Sequence, residues 1–182
     1  MRFRLFYRGN LQANARAQQK AELRKLFHSQ LELLWQQDPL VNISKYIDPD
    51  YKPDECYLGE RRGSTIFYPI VSEKIWTIAE LDILMLRPGE PGSIWVGGGD
   101  IDNRLKTLFD SLKVPDMNSG DYHAEHPRMF CLLQDDKLIT RVSVETDRLL
   151  DPVIGTKNEV VLVIQVHVLA SSGRVCNSAI CF

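Results

Sequence analysis

Hydrophobic and polar residues alternate with a period of two along several segments of the chain, a pattern that predicts strands. The segment NEVVLVIQVHVLA, residues 158–170, has the most regular alternation. Residues 129–146 begin as an apolar run and continue as an alternating strand. The other predicted strands are residues 2–9, 64–72 and 75–87, with residues 93–96 as a candidate for a short additional strand.

Two other segments repeat their apolar residues every three to four positions, the spacing of one helical face. Residues 14–37 are rich in helix-forming residues and predict one long helix with a single buried face. We expect its polar residues Lys20, Arg24 and Lys25 to be solvated rather than to face DNA. Residues 102–113 predict a shorter amphipathic helix. Its apolar positions are Leu105, Leu108, Phe109 and Leu112.

The predicted elements follow one another in the order β-α-β-β-α-β-β. Because strands and helices are mixed without strict alternation, this order predicts an α+β fold, with two main helices packed on a mixed sheet. We expect residues 1–182 to form a single domain. Residues 38–63 contain three prolines and predict an irregular segment, and residues 114–128 have turn-forming composition and predict an extended loop.

The composition is that of an ordinary globular chain, with charged residues making up 25% of 182. No apolar run reaches the roughly 18–20 residues of a membrane span, so we expect no membrane association. The first ten residues interleave charged and apolar side chains, unlike the continuous apolar core of a signal peptide. The cytoplasm is therefore the expected compartment.

Four cysteines are scattered along the chain without a CxxC pair, which is typical of free, mostly buried thiols. They are Cys56, Cys131, Cys176 and Cys181. A zinc site formed by His123, His126 and the cysteines near the C-terminus is an alternative. Its spacings fit no standard zinc template, so we do not favour it.

The segment GGGDIDNRLKTLFDSL, residues 97–112, places two acids directly at the start of the second predicted helix. Asp102, Lys106 and Asp110 are four residues apart and share one helical face, with Asp100 just before the helix. The purely structural alternative is one helix cap, one i,i+4 ion pair and an unrelated second acid. A phosphate cradle formed by the glycines is disfavoured, because acids at a helix N-terminus repel phosphate unless a cation lies between them.

A second acidic pair, Asp135 and Asp136, lies where the apolar run of residues 129–146 gives way to the alternating strand. From there the two side chains can face the start of the second helix across the sheet. Taken alone, the pair is also common turn chemistry. Carboxylate oxygens are the ligands that hard cations such as Mg²⁺ prefer. The two acidic pairs together therefore indicate a metal site.

The spacing of these residues resembles that of the RusA-type Holliday-junction resolvases, a group of small phage and bacterial endonucleases. Their pattern is D-[LI]-D-N-x-x-K-x-x-x-D-x-L, followed later by D-D-x-x-[VI]. The matching residues are Asp100, Asp102, Asn103, Lys106, Asp110, Leu112, Asp135, Asp136 and Ile139. The order of strands and helices is also similar over most of the remaining chain.

The resemblance implies a RusA-like domain with metal-dependent endonuclease activity, which resolves Holliday junctions by hydrolysing phosphodiester bonds in branched DNA. The implied catalytic residues are Asp100, Asp102, Lys106 and Asp136, of which the three aspartates would bind Mg²⁺ or Mn²⁺. The metal would activate a bound water and neutralise the scissile phosphate, while the lysine would contact the phosphate or the attacking water. Asp110 and Asp135 would orient the lysine and the metal ligands.

The resemblance also implies a homodimer, which can cut a junction symmetrically. Basic residues near the motif or on predicted turns are the expected DNA contacts, namely Arg61, Arg62, Arg104, Lys137 and Arg141. A net charge of -2 and a pI near 6.1 argue against binding by bulk charge. Bound metal cations can nevertheless offset a local acidic cluster.

Two other classes of function stay open. One is a catalytically weak or inactive DNA- or protein-binding module of the same fold, although such a module has no need to keep all four acids together with Lys106. The other is a Mg²⁺-dependent enzyme that acts on a nucleotide. That enzyme has no use for a helical lysine four residues after the second acid.

Overall fold

Four strands with alternating buried and exposed side chains form a mixed sheet in the part of the chain that the structure describes. The computed structural model describes residues 1–50, 56–88, 101–117, 126–150 and 159–181. The strands of this sheet are β1 (Arg2–Asn10), β4 (Thr77–Arg87), β6 (Ile139–Arg148) and β7 (Glu159–Ala170). Their order is β1-β7-β4-β6, with β4 and β6 parallel and the other pairs antiparallel.

The four-stranded sheet has one buried face and one open face, as the period of two in its strands requires. In β4 the odd-numbered residues from Thr77 to Met85 are buried and the even-numbered residues between them are partly exposed. In β7 the even-numbered residues from Val160 to Val168 are buried, and the odd-numbered residues from Val163 to His167 are partly exposed. The chain's most regular alternation is therefore explained by a strand at the centre of the sheet.

A second sheet has three strands, β2 (Glu60–Arg62), β3 (Thr65–Val71) and β5 (Arg128–Leu133), in the order β2-β3-β5. The prediction of one mixed sheet is wrong in this respect. A turn of 3-10 helix at Asp136–Leu138 separates β5 from β6. Because of that turn, β5 pairs with β3 while β6 pairs with β4.

The two predicted helices are confirmed as α1 (Ala17–Trp35) and α2 (Ile101–Leu112). Helix α1 packs against α2, β1 and β5. Phe27 and Leu31 of α1 are buried, and the Phe27 ring centroid lies 6.2 Å from that of Tyr7 on β1. Helix α1 therefore packs on β1 of the four-stranded sheet and on β5, α2 packs on α1 and β5, and the predicted α+β class is confirmed.

The polar side of α1 is not solvated as we expected, because two of its basic residues face α2. Arg24 is only 2% exposed. Its Nη2 donates to the carbonyl oxygen of Asp110 at 2.7 Å, and its Nε donates to that of Lys113 at 3.1 Å. Carbonyl groups at a helix C-terminus have no partner within the helix and carry partial negative charge. Arg24 therefore caps α2 from a neighbouring helix.

The segments predicted to lack regular structure contain short elements. A 3-10 helix at Leu40–Ile47 and strand β2 lie within residues 38–63. Residues 171–181, which follow β7, contain a 3-10 turn at Val175–Asn177 and a short helix, α3 (Ser178–Cys181). Most of the predicted extended loop, residues 118–125, and the candidate strand at 93–96 lie outside the described residues, as does His123 of the zinc alternative.

The four cysteines are free, as the sequence predicts. Cys131 is fully enclosed, and burial raises the pKa of its thiol to about 12. Among the described residues, no helix combines the length and the apolar character that crossing a membrane requires.

Candidate active site

Helix α2 presents two residues of the motif to solvent on its first two turns. Asp102 and Lys106 are both exposed and lie one helical turn apart. Leu108 and Leu112 are buried on the other side of the helix. The amphipathic pattern therefore places a carboxylate and an ammonium group on the same accessible surface. Asp100, the first acid of the motif, lies outside the described residues.

Lys106 forms no ion pair with a described residue, although its spacing predicts pairs with Asp102 and Asp110. The carboxylate of Asp110 is bound instead by Lys20, whose Nζ lies 2.8 Å from Oδ2, and by Lys113, whose Nζ lies 3.6 Å from Oδ1. The predicted role of Asp110 in orienting Lys106 therefore has no contact to support it. The tertiary packing of α1 on α2 supplies Asp110 with a different partner.

Lys113 lies among carboxylates just beyond the last turn of α2. Its Nζ is 3.5 Å from Asp136 Oδ2, 3.6 Å from Asp110 Oδ1 and 4.0 Å from Asp116 Oδ2. Its side chain is only 14% exposed. Burial lowers the pKa of Lys113, but the carboxylates, Asp136 foremost, outweigh burial and hold the pKa above its ordinary value. Lys113 is therefore a cation fixed beside Asp136 and Asp110.

The two acids of the second pair have different surroundings. The Oδ1 of Asp135 accepts a hydrogen bond from the backbone N–H of Lys137 at 2.9 Å and caps the 3-10 turn. This hydrogen bond is the main reason that the pKa of Asp135 lies below its ordinary value. Turn chemistry therefore accounts for Asp135, whereas the carboxylate of Asp136 contacts Lys113.

The predicted metal ligands are distributed along the length of α2. Asp102 lies on the first turn, and Asp136 contacts Lys113 beyond the last. The helix rises about 12 Å between Asp102 and Asp110. Within the described ranges, no group of three or more His, Cys, Asp or Glu side chains is arranged to hold a metal ion. Carboxylate oxygens suit Mg²⁺ and Mn²⁺, but the cation that Asp136 contacts here is the ammonium of Lys113.

Arg104 is not a DNA contact, and that prediction is wrong. The side chain is 2% exposed and donates to the carbonyl oxygen of Leu11. Burial, and secondarily the charge of Arg87, lowers its pKa. Because position 104 faces the buried side of α2, the guanidinium attaches the helix to the segment after β1 and is closed to a ligand.

The other basic residues predicted to contact DNA are accessible to different degrees. Arg62 is partly buried, donates to the carbonyl oxygen of Pro115 at 2.9 Å and lies 3.5 Å from Glu60. Lys137 is exposed and pairs with Glu73 at 3.0 Å.

Arg141 and Arg61 complete that predicted set. Arg141 forms two hydrogen bonds to Asp82, at 2.9 and 3.3 Å, and pairs with Glu80 at 3.2 Å. Arg61 is exposed and has no ion pair with a described residue. Of the five predicted contacts, Arg61 is therefore the most available to a polyanion.

Three residues of this region were missed by sequence reasoning, namely Lys20, Arg24 and Lys113. The pairing of Lys113 with Asp110 could have been predicted from the sequence, because the two residues are three positions apart. The contacts of Lys20 and Arg24 could not, because their partner Asp110 lies some 90 residues away in the chain.

A scan against protein-family models, a search of curated proteins and a search of solved structures each found no match to this chain. The likeness to the RusA-type resolvases is therefore carried by the residues of the motif. The contacts and exposure of those residues determine which of them can bind a ligand.

Proposed function

We propose that the protein is a metal-dependent endonuclease that cleaves branched DNA. The observation that carries the proposal is the placement of Asp102 and Lys106 on one exposed surface of α2, within a motif that resembles the junction resolvases. The helical spacing offers Lys106 the carboxylates of Asp102 and Asp110, yet no described carboxylate binds it, so its ammonium is available to a ligand. An exposed ammonium beside a carboxylate suits a phosphate group held next to a metal ion.

In this proposal Asp100 and Asp102, at the start of α2, hold the metal, and Asp136 can complete the site only by leaving Lys113 and moving toward the first turn of α2. Mg²⁺ or Mn²⁺, when bound, supplies a water of lowered pKa and neutralises charge on the scissile phosphate. Lys106 contacts a non-bridging phosphate oxygen and stabilises the charge that builds up during attack. Lys113 pairs with Asp136 beyond the last turn of α2 and so competes with the metal for this carboxylate.

The proposal is tested by cleavage of a synthetic four-way junction, compared with linear duplex DNA of the same sequence. We expect cleavage of the junction with Mg²⁺ or Mn²⁺ and none with EDTA. Asp102→Asn should abolish cleavage, because it removes a charged ligand while leaving the helix surface intact. Glu32→Gln, which changes a partly exposed acid on α1, is the matched control and should cut at the wild-type rate.

A second candidate function is a catalytically inactive DNA-binding module of the same fold. The position of Lys113 favours it, because its ammonium pairs with Asp136 at 3.5 Å while the ammonium of Lys20 pairs with Asp110 at 2.8 Å, so both acids already have cationic partners. This candidate predicts junction binding in EDTA and no cleavage with any divalent metal. If the chain instead hydrolyses nucleotides and leaves DNA intact, both DNA functions are rejected.

A further inference from the structure

The open face of the four-stranded sheet carries a row of basic and aromatic side chains along β1. This row, which we call the β1 column, consists of Arg2, Arg4, Phe6 and Arg8. All four residues are exposed, while the residues between them are partly or fully buried. Phe6 is 54% exposed, which is unusual for a large apolar side chain in a strand.

The arginines of the β1 column are only partly neutralised. Arg4 donates through Nη2 to the uncharged Oε1 of Gln165 at 2.7 Å. Arg2 has no ion pair with a described residue. Arg8 pairs with Glu159 at 2.8 Å, although its side chain is still 42% exposed. The column therefore concentrates positive charge on a chain whose net charge is -2.

The backbone edge of β1 is closed at the centre of the column. Gln30 of α1 accepts from the N–H of Phe6 at 2.9 Å and donates to its carbonyl oxygen at 2.7 Å. An added strand would need both of these groups, so the edge cannot pair with a peptide there. A ligand of this surface must therefore be recognised by the side chains.

The rest of the open face directs a polyanion toward β1. Gln165 of β7 lies opposite Arg4, and Asp82 of β4 lies opposite Gln165 on its other side. The acids Glu80 and Asp82 therefore lie on the far half of the face, where Arg141 binds them. The negative half repels phosphates, while the β1 half attracts them.

We propose that the β1 column binds a single-stranded segment of nucleic acid, such as the unpaired strand beside a branch point. This inference rests on the proposed function and deepens it by naming a further surface for the same substrate. Alternate residues of an antiparallel strand lie about 6.8 Å apart. A flexible single strand can match this spacing along β1, because its phosphates are not fixed in the geometry of a duplex.

Phe6 gives this surface its preference for unpaired bases. Aromatic side chains between basic groups are stacking platforms for bases, and stacking does not depend on sequence. Phe6 lies between Arg4 and Arg8, both of its backbone polar groups are bound by Gln30, and it lies opposite Val163 of β7. A base can therefore stack on the ring while phosphates on either side along the strand contact the arginines.

The test is fluorescence anisotropy with a labelled oligothymidine 15-mer and the full chain, in EDTA so that cleavage cannot occur. We expect the single strand to bind more tightly than a duplex of equal length. Phe6→Ala should weaken binding about tenfold, and Phe6→Tyr should bind as wild type. Arg2→Gln and Arg4→Gln should each reduce the slope of log affinity against log salt by about 0.7. Arg128→Gln, which changes a 64% exposed arginine on β5, is the matched control.

Unchanged single-strand affinity in the folded variants Phe6→Ala and Arg4→Gln would overturn the inference, as would equal binding of duplex. If these substitutions instead split a dimer seen by sedimentation and leave DNA affinity unchanged, the face is a contact between two copies and the inference is wrong. Asp102→Asn separates the two proposals. We expect this variant to lose cleavage but to bind the 15-mer as wild type. A wild-type protein that binds through the β1 column but cuts no junction would reject only the endonuclease.

Discussion

Two lysines seven residues apart near α2 have opposite surroundings. Lys106 is exposed and no described carboxylate binds it, whereas Lys113 is 14% exposed and lies within 4.0 Å of three carboxylates. An ammonium that is already neutralised binds a phosphate poorly, because the partner must first be displaced. The residue type is the same, but only Lys106 is placed to bind a ligand.

Lys106→Ala should therefore affect activity and leave stability unchanged. Because the side chain makes no ion pair with a described residue, its loss should change the free energy of unfolding by less than about 0.5 kcal/mol. As a contact to the phosphate in the transition state, it should lower single-turnover cleavage of a four-way junction about 100-fold. Lys106→Arg should restore only part of the rate, since the guanidinium differs in shape and hydration.

Lys25→Ala is the control for the loss of a lysine, because it removes an exposed lysine from α1. A Lys106→Ala protein that melts and cuts like wild type would show that the lysine is an ordinary surface charge.

At the scale of elements, the contact between α1 and α2 depends on polar groups as well as on leucines. Arg24 caps the C-terminus of α2, and Thr107 Oγ1 accepts from the N–H of Ala15 at 3.2 Å, just before α1. A buried charge is tolerated when its hydrogen bonds are satisfied. These bonds fix the rotation of α2, which decides that Asp102 and Lys106 face outward.

Arg24→Ala should destabilise the protein by about 2–4 kcal/mol, because it removes a buried side chain and leaves two partly buried carbonyl groups at the end of α2 without their donor. Urea denaturation measures this as a lower midpoint. The neighbouring exposed Lys25→Ala should stay within about 0.5 kcal/mol of wild type. Equal stability of the two variants would contradict the capping role.

The contact between α1 and β5 should make stability depend on pH. His28 Nδ1 accepts from the N–H of Phe130 at 3.0 Å, which requires an unprotonated nitrogen. Burial is the largest cause of its lowered pKa, opposed by Glu32 and reinforced by His126 and Arg128. In the unfolded chain His28 takes up a proton near pH 6.5, before the folded chain does. Stability should therefore fall as the pH drops from about 7 through 6, down to the folded pKa.

Urea denaturation of wild type and His28→Gln between pH 5 and 8 measures this effect. The glutamine can accept the same hydrogen bond without titrating, so its stability should vary less over this range. An equal slope for both proteins would exclude His28 as the cause.

At the scale of the whole molecule, the charges of the open sheet face are divided between its two halves. Arginines follow β1, while Glu80 and Asp82 lie on β4. A chain with a net charge of -2 can therefore present a basic surface to DNA without being basic overall. The acidic pI is thus compatible with a substrate that binds along a local basic surface.

Symmetric resolution of a junction requires two active sites, so we expect the active form to be a homodimer. Sedimentation equilibrium should give about 42 kDa, twice the chain mass of 20.9 kDa. A mass of one chain at all concentrations, together with junction cleavage, would contradict the dimer.

The sequence by itself determined the helices and most of the strands, because hydrophobic periodicity is a local property of the chain. It also placed Asp102 and Lys106 on one face of α2, since positions four apart on a helix are neighbours. The division of residues 129–146 into β5 and β6 was missed, because strand pairing at the break depends on distant partners. That division produced two sheets where one was predicted.

Only the tertiary structure decided which charged residues are buried, paired or exposed. Arg24 and Arg104 have the same local pattern as surface arginines, yet both are buried. Arg24 donates to the carbonyl oxygen of Asp110, 86 residues away in the chain, and Arg104 donates to that of Leu11, 93 residues away. Whether a charge is solvated, paired or left available depends on which groups the fold brings beside it. Such long-range neighbours leave no periodic signal in the sequence.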